Sequence, residues 1–442
     1  MERVWTAVSQ AVREANSLLN GQPRPDAIAL SCRGGTGVWL DSDLQVIPVP
    51  SLDNGSASPS MHEEIEEVYR SPVWGADGPF AFSYAPATIG RSVWLRRNES
   101  ELWAKATRTG TLHDWILLRL TGVWATDPAS GAGGYRWPAD ALALAGLPAG
   151  AFPESMPQEQ VAGDLTADAA RALDLSPGIP VVVGCHDGVA ANIGTGVVHS
   201  GDACITLGSN LVVRAVTGER LPDCFGYPIL SDRWAWVRGA HGIASQIDAV
   251  VAVLDGSGVP VTPARHAALT EVAAAIEAVP VGLVMPTLPR GSDEGRSLQA
   301  REALAAAFTP GQIYRATLES AAHAISDLVE VAQRDGAHCH RYLVTGAAAS
   351  NELLLRMLSA VLGSPISIGD QEAGLRGAAV LAATGAGLYH DIEDAIAGMV
   401  RPGTIVAASP AEQAIYSGKL RHQTADTSAA PGDQTRQGQR AR

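Results

Sequence analysis

The stretch Val181–Asn210, VVVGCHDGVAANIGTGVVHSGDACITLGSN, decides how the rest of the chain is read. It continues an apolar run that begins at Ile179, with Pro177 and Pro180 near its start and Gly184 at its end, which is the pattern of a buried strand. A tight Gly184-Cys185-His186-Asp187-Gly188 turn should follow, then a helix of small residues over 189–193. After the turn residues Ser200-Gly201-Asp202 the pattern predicts a second strand over 203–207, a Gly208-Ser209 corner and a third strand over 211–216. Asp187 then stands at the carboxyl end of a strand, where open α/β sheets place their ligands. Equally, a carboxylate just ahead of a helix serves as a cap for the first N–H groups. The Gly208-Ser209 corner offers N–H groups and a hydroxyl suited to a phosphate oxygen, and it also suits a plain hairpin turn. On these residues both readings of each feature stay open.

A third piece lies far downstream. Residues 341–345 (RYLVT) read as a short strand, and Gly346-Ala347-Ala348-Ala349-Ser350 as a loop with little or no side chain. Residues 351–362 then form an amphipathic helix, with Leu353, Leu354, Met357, Leu358 and Leu362 on one side. A strand, a small-residue loop and a helix N-terminus let a flat or anionic ligand approach the backbone closely. The alternative is an ordinary strand–helix connection with Ser350 as the cap.

The order and spacing of these pieces resemble the FGGY carbohydrate kinases, within the fold shared by actin, sugar kinases and heat-shock chaperone ATPases. Gly184–Asp187 stands where that family has a GxxD-type turn, 206–210 resembles its SLGTS-like corner, and 345–350 resembles its GGGA-like loop. Residues 314–322 (YRATLESAA) are similar to its RAxLE segment, and 374–389 (GLRGAAVLAATGAGLY) to its LGAAxLAAxGxGxY ending. The resemblance implies an α/β chain of two actin-like (ribonuclease H-like) domains around a cleft. It also implies ATP-dependent phosphorylation of a sugar or polyol hydroxyl, with ATP and Mg²⁺ as cofactors. Asp187 would be the catalytic base and touch the acceptor. Gly208 and Ser209 would hold ATP phosphates, and Gly346 and Ser350 would border the nucleoside. A non-catalytic nucleotide- or sugar-binding protein that kept the fold is the alternative.

At 442 residues the chain is long enough for two domains. The likeness covers about residues 1–395, and the expected division is 1–198, 199–407 and a disordered tail over 408–442, where small polar residues lose all periodicity. With 46% hydrophobic residues there is ample material for packed cores, and a net charge of −14 argues against nucleic acid or anionic membrane as a partner. The expected partner is a small sugar or polyol, with a homodimer as a compatible assembly. Five cysteines (32, 185, 204, 224, 339) lack paired spacing, so no disulfide framework is expected. His338-Cys339-His340 would point to opposite faces of a strand, so no metal site is expected there. No apolar run reaches the roughly 18 residues that would span a bilayer, and no signal-peptide core stands at the N-terminus; the expectation is a soluble, cytoplasmic protein.

Taken in order, the chain reads as a helix over 4–19, strands over 27–31 and 37–40, a loop-rich segment over 55–86 near the site, and helices over 89–120. Two departures from the resembled family bear on the acceptor. Arg33 replaces a sugar-side glutamine, and Asp53 is kept from a WxDxR-like motif whose aromatic and arginine are gone. Arg33 and Asp53 remain the expected acceptor contacts. Without the ring that packs a sugar face and the arginine fork, an ordinary hexose or pentose is a poor fit. Thr126–Ser130 (TDPAS) is similar to the family's TDxSxAS segment, a wall of the sugar pocket, and Asp114 is expected to be structural. A further departure lies at residues 290–296, where the family's G-E-R-x-P pattern is absent. The last lies at the start, where no Asp-x-Gly-Thr/Ser motif occurs. That motif supplies the family's first phosphate clamp, so the first domain is expected to be incomplete at its N-terminus, with an unpaired strand edge and impaired phosphoryl transfer. Either the native start lies upstream, or the chain is a degenerate homologue.

Overall fold

Val181, Val182, Val183 and Cys185 are fully buried, so the apolar run lies inside the sheet, with a neighbouring strand on either side. The computed structural model describes residues 1–19, 25–49, 59–78, 84–131, 138–208, 210–241, 243–255, 261–276 and 307–416. Asp53, Ser209 and the segment 290–296 lie outside the described residues. In chain order the strands are β1 (Ile28–Cys32), β2 (Gly37–Leu40), β3 (Arg108–Thr111), β4 (Ala125–Thr126), β5 (Glu154–Ser155), β6 (Val161–Asp164) and β7 (Pro180–His186). They continue with β8 (Asp202–Leu207), β9 (Asn210–Thr217), β10 (Gly226–Leu230), β11 (Arg233–His241), β12 (Arg341–Thr345), β13 (Ile366–Ile368) and β14 (Thr404–Val406).

Two sheets carry the architecture. A three-stranded sheet has the order β1-β7-β6, with β1 parallel to β7. A seven-stranded mixed sheet has the order β10-β11-β9-β8-β12-β13-β14, with β8, β12 and β13 parallel. One face of the larger sheet packs Ile205, Leu211 and Val213 against Tyr314, Leu318 and Ile325 of the helix Pro310–Arg334. Thr309 and Gln312 form a capping box at the start of that helix, which satisfies two otherwise orphaned N–H groups. The opposite face packs Cys204, Val216 and Tyr227 against Val189, Ala190 and Ile193 of the helix Asp187–Gly194, which follows β7. This second helix therefore ties the two sheets together. It lies against the helix Ala373–Gly385 so closely that a Cβ at Gly194 or Gly377 would overlap the partner's backbone.

The α/β architecture follows the expectation, with differences in detail. Gly184 does not open the turn. It sits in the left-handed region (φ 75°) beside a register shift in the β1–β7 ladder, and the strand runs on to His186. Residues 108–111, expected to be helical, form β3, a β-branched and glycine segment (RTGT) paired antiparallel with β2. The N-terminal helix Glu2–Leu18 buries Trp5 and Ser9 and leaves Leu18 exposed. Residues 408–416, assigned to a disordered tail, are packed. Ala408 and Tyr416 are buried, and the Tyr416 hydroxyl donates to Glu319 Oε1 (3.1 Å). One aromatic anchor holds a polar stretch that composition alone reads as loose. All five cysteines are free thiols and buried.

Candidate active site

Parallel pairing sets Cys32 opposite His186, so the residues that follow, Arg33 and Asp187, leave adjacent carboxyl strand ends. Sequence reasoning allowed Asp187 as an N-cap, but the cap is His186, whose Nδ1 accepts from the Gly188 N–H (3.1 Å). With Nδ1 accepting, the ring proton sits on Nε2, which is hydrogen-bonded to the Tyr84 hydroxyl (3.1 Å) and lies 3.0 Å from Asp187 Oδ1. The Asp187 carboxylate is thus released from capping, is oriented by a histidine, and keeps 55% of its side-chain surface exposed. Burial pushes its pKa upward. The adjacent His186 ring, the charge of Arg214 and the Gly188 N–H outweigh that and hold it below the ordinary carboxylate value. Tyr84, Phe225 and Tyr227 surround the His186 ring, with the Tyr84–His186 centroids 5.2 Å apart and the His186–Tyr227 centroids 4.9 Å apart.

A buried ionic group supports this strand end. His113 Nε2 faces the Val183 carbonyl (2.8 Å) and Nδ1 faces Asp114 Oδ1 (3.1 Å). Both ring nitrogens meet acceptors, so both donate, and the ring is an imidazolium. Burial pushes its pKa down, but the Asp114 hydrogen bond and the charges of Asp127 and Asp114 prevail and raise it to about 9. Asp114 also accepts from the Thr111 N–H (2.6 Å) as part of a capping box, the structural role expected of it. Asp127 Oδ1 accepts from the N–H groups of Ala129 (2.9 Å), Ser130 (3.1 Å) and His186 (3.4 Å). Its Oδ2 has no hydrogen-bond partner and lies 3.9 Å from the His113 ring. Asp127 is therefore fully buried, against the expectation of a pocket wall, and fixes the backbone one residue ahead of Asp187.

The strand end before Gly208 and the downstream loop also meet. Thr206 and Thr345 are paired at the ends of parallel β8 and β12, so Gly346 follows beside Leu207, one residue ahead of Gly208. Gly346 has φ 97°, and a Cβ there would lie 2.7 Å from the Leu207 carbonyl oxygen, so only glycine fits. The loop Ala347–Ser350 leads to the helix Glu352–Leu362, whose cap is Asn351 rather than Ser350. Asn351 Oδ1 accepts from the Leu354 N–H (3.0 Å), while the exposed Ser350 hydroxyl donates to the Ala347 carbonyl (2.8 Å). Arg33, Asp187, Gly208, Gly346 and Ser350 are thereby all placed at carboxyl strand ends. Sequence reasoning passed over His186, Tyr84 and Arg214. The sole signal for Arg214 is a lone charge inside the apolar strand LVVRAV. Among the described residues no group of three or more His, Cys, Asp or Glu side chains could hold a metal ion.

Comparison with known proteins identifies the family. Residues 1–194 match the N-terminal domain, and residues 229–386 the C-terminal domain, of the FGGY family of carbohydrate kinases. The autoinducer-2 kinase of Enterobacter sp. (strain 638) is 24% identical across 90% of this chain and 77% of its own length. The xylulose kinase of Streptomyces rubiginosus is 30% identical across 50% of this chain and 46% of its own. Among solved structures, the xylulose kinase of Rhodospirillum rubrum superposes with a TM-score of 0.78 at 22% identity, covering 97% of this chain and 89% of that one.

Proposed function

Because the chain belongs to the FGGY family of carbohydrate kinases, we propose that it transfers the γ-phosphoryl group of ATP to a hydroxyl of a sugar or polyol, with Asp187 as the general base. The observation that carries this reading is the Asp187 carboxylate, ionised, half exposed and released from capping by His186, at a strand end beside Gly188. In the step itself Asp187 takes the proton of the acceptor hydroxyl. The acceptor oxygen forms the new bond to γ-phosphorus, and the bond from that phosphorus to the β-bridging oxygen breaks, leaving ADP with the electron pair. His186 holds the carboxylate in place and Tyr84 holds the histidine. Arg33, leaving the neighbouring strand end, contacts the acceptor, together with Asp53. Gly208 and Ser209 receive the phosphates, and Gly346 with Ser350 borders the nucleoside.

Magnesium is normally held by one or two carboxylates and substrate phosphates rather than by an all-protein cage. We infer that the ion arrives as part of the Mg·ATP substrate. We place the division between the two domains near residues 198–201, between the helix after β7 and the start of β8. No helix among the described residues is long and apolar enough to cross a membrane. We read the protein as cytoplasmic, acting on small molecules rather than nucleic acid or membrane, with a homodimer as a compatible assembly.

The test is ATP consumption by the purified chain against a panel of sugars and polyols, with thermal shift by nucleotide run alongside. Acceptor-dependent ADP release is the expected result. A thermal shift with ATP but no turnover on any acceptor would leave a binding protein in place of a kinase.

A further inference from the structure

Arg214 stands in the middle of β9, on the face that meets the helix Asp187–Gly194, and is only 7% exposed. Its Nε donates to the Tyr227 hydroxyl (2.9 Å) and one terminal nitrogen donates to Thr206 Oγ1 (2.7 Å). Both partners are neutral, and burial pushes the Tyr227 phenol further from ionisation, to about 12. No carboxylate among the described residues pairs with this guanidinium. A buried cation with no carboxylate hydrogen-bonded to it keeps much of a desolvation cost of several kcal/mol, so a fold that holds one is arranged for an anion that comes from outside.

The position narrows what that anion is. A Cβ at Gly188 would overlap the Tyr227 hydroxyl and lie 2.7 Å from Arg214 Nε, so the guanidinium sits against the first turn of the helix that carries Asp187. Helix N-termini favour negative charge, and the cation adds to that preference. Its other partner, Thr206, lies two residues ahead of Gly208 in the phosphate corner. Arg214 therefore spans the space between the base and the corner. Asp187 is near enough for the two charges to act on each other, yet its close contact is with His186. The two groups act on each other at a distance without a direct hydrogen-bonded contact, which leaves donors of the guanidinium for a further anion.

We propose that Arg214 is a catalytic residue that contacts the transferred phosphoryl group of ATP between Asp187 and the Gly208 corner. This rests on the kinase reading above. An arginine fork matches phosphate oxygens and is permanently charged. Held in advance by Tyr227 and Thr206, it stabilises the charge on the equatorial oxygens during transfer without reorganising. The phosphoryl group is favoured over an anionic substituent of the acceptor because Thr206, which orients the guanidinium, belongs to the strand that ends in the phosphate corner.

The experiment compares wild type, Arg214→Gln and Arg214→Lys by calorimetric titration with ATP and with ADP in the presence of magnesium. Steady-state kinetics are measured on whichever acceptor the panel identifies. In Arg214→Gln, kcat is expected to fall about 10²–10³-fold and the ratio of ATP to ADP affinity to fall about tenfold, with ADP affinity and acceptor KM within a factor of about three. Arg214→Lys, which keeps the charge without the fork, should fall between the two and serves if the glutamine variant does not fold. A parallel fall in ATP affinity, ADP affinity and thermal midpoint overturns the assignment in favour of a structural role. A rise in acceptor KM with nucleotide binding intact overturns it in favour of acceptor recognition. A wild-type chain that binds neither nucleotide and turns over no acceptor removes the kinase reading itself. Wild-type turnover matched by Arg214→Gln removes Arg214 alone.

Discussion

Around Asp187 the neighbours are side chains held by other side chains, whereas at Gly208 and Gly346 the chain presents backbone packed on backbone. The first region is an electrostatic construction. His186 orients the carboxylate, Asp127 grips the His186 N–H, and the His113 imidazolium balances Asp114 and Asp127 beneath. The second is a steric construction, in which two parallel strands end together and a side chain at Gly346 would strike Leu207. The difference matches the two tasks proposed for these regions. Moving a proton requires a charge of defined strength and direction; seating a nucleotide requires closely approached N–H groups and empty space.

The comparison is broken most severely at the base. Asp187→Asn removes the proton acceptor while leaving a carbonyl oxygen for His186, so turnover should fall by about 10²–10⁴-fold with little change in the thermal midpoint. Kinetics and thermal unfolding of the same preparation check this, and undiminished turnover would strip Asp187 of its role. On the steric side the expected damage is to stability as well as to binding. Gly346→Ala forces a Cβ into a φ of 97° and toward Leu207, costing about 2–4 kcal/mol from backbone strain and overpacking. Urea unfolding measures the first effect. Titration should show nucleotide affinity reduced more than acceptor affinity, and equal weakening of both would contradict a nucleotide-side role for this loop.

The smallest effect sharpens the electrostatic half. The pKa of His113 is raised from 6.5 to about 9 in the folded chain. The stability it contributes is therefore fully present below about pH 6.5 and is lost as pH rises through about 9. A loss of about 3 kcal/mol is expected between these limits, read as a falling thermal midpoint. The same scan on His113→Gln should be flatter across that window; an identical slope would assign the loss to other groups.

The parts of this site that depend on local order were legible in the chain. The strand before Asp187, the corner after Leu207 and the small-residue loop at 346–350 each carry their own pattern of apolar run, glycine and helix start. The residues that escaped reading are those whose role depends on contacts across long separations. Tyr84 reaches His186 across 102 positions, and His113 reaches Val183 across 70. Arg214 is a lone charge within an apolar strand, and only the assembled sheet shows that it faces Gly188. The segment 108–111 read as helix because strong helical patterns flank it. Pairing with β2 decides otherwise, a tertiary contact overriding local preference. Tyr416 makes the same point at the other end, where a single buried ring fixes residues that composition had released.

The burial of Cys32, Cys185, Cys204, Cys224 and Cys339 has a practical consequence. Burial pushes these thiols up, to about 12 at Cys32 and Cys339, so they stay neutral and shielded at ordinary pH. The thiolate is the reactive form, so an alkylating reagent meets a silent protein until the fold opens. The rate of modification then clocks the opening of each sheet, because Cys32 and Cys185 lie in the smaller one and Cys204 in the larger. The same silence leaves a single cysteine introduced on the surface as the one position a dye would label. A pair of such dyes, one on each sheet, could follow the movement of the two halves during turnover.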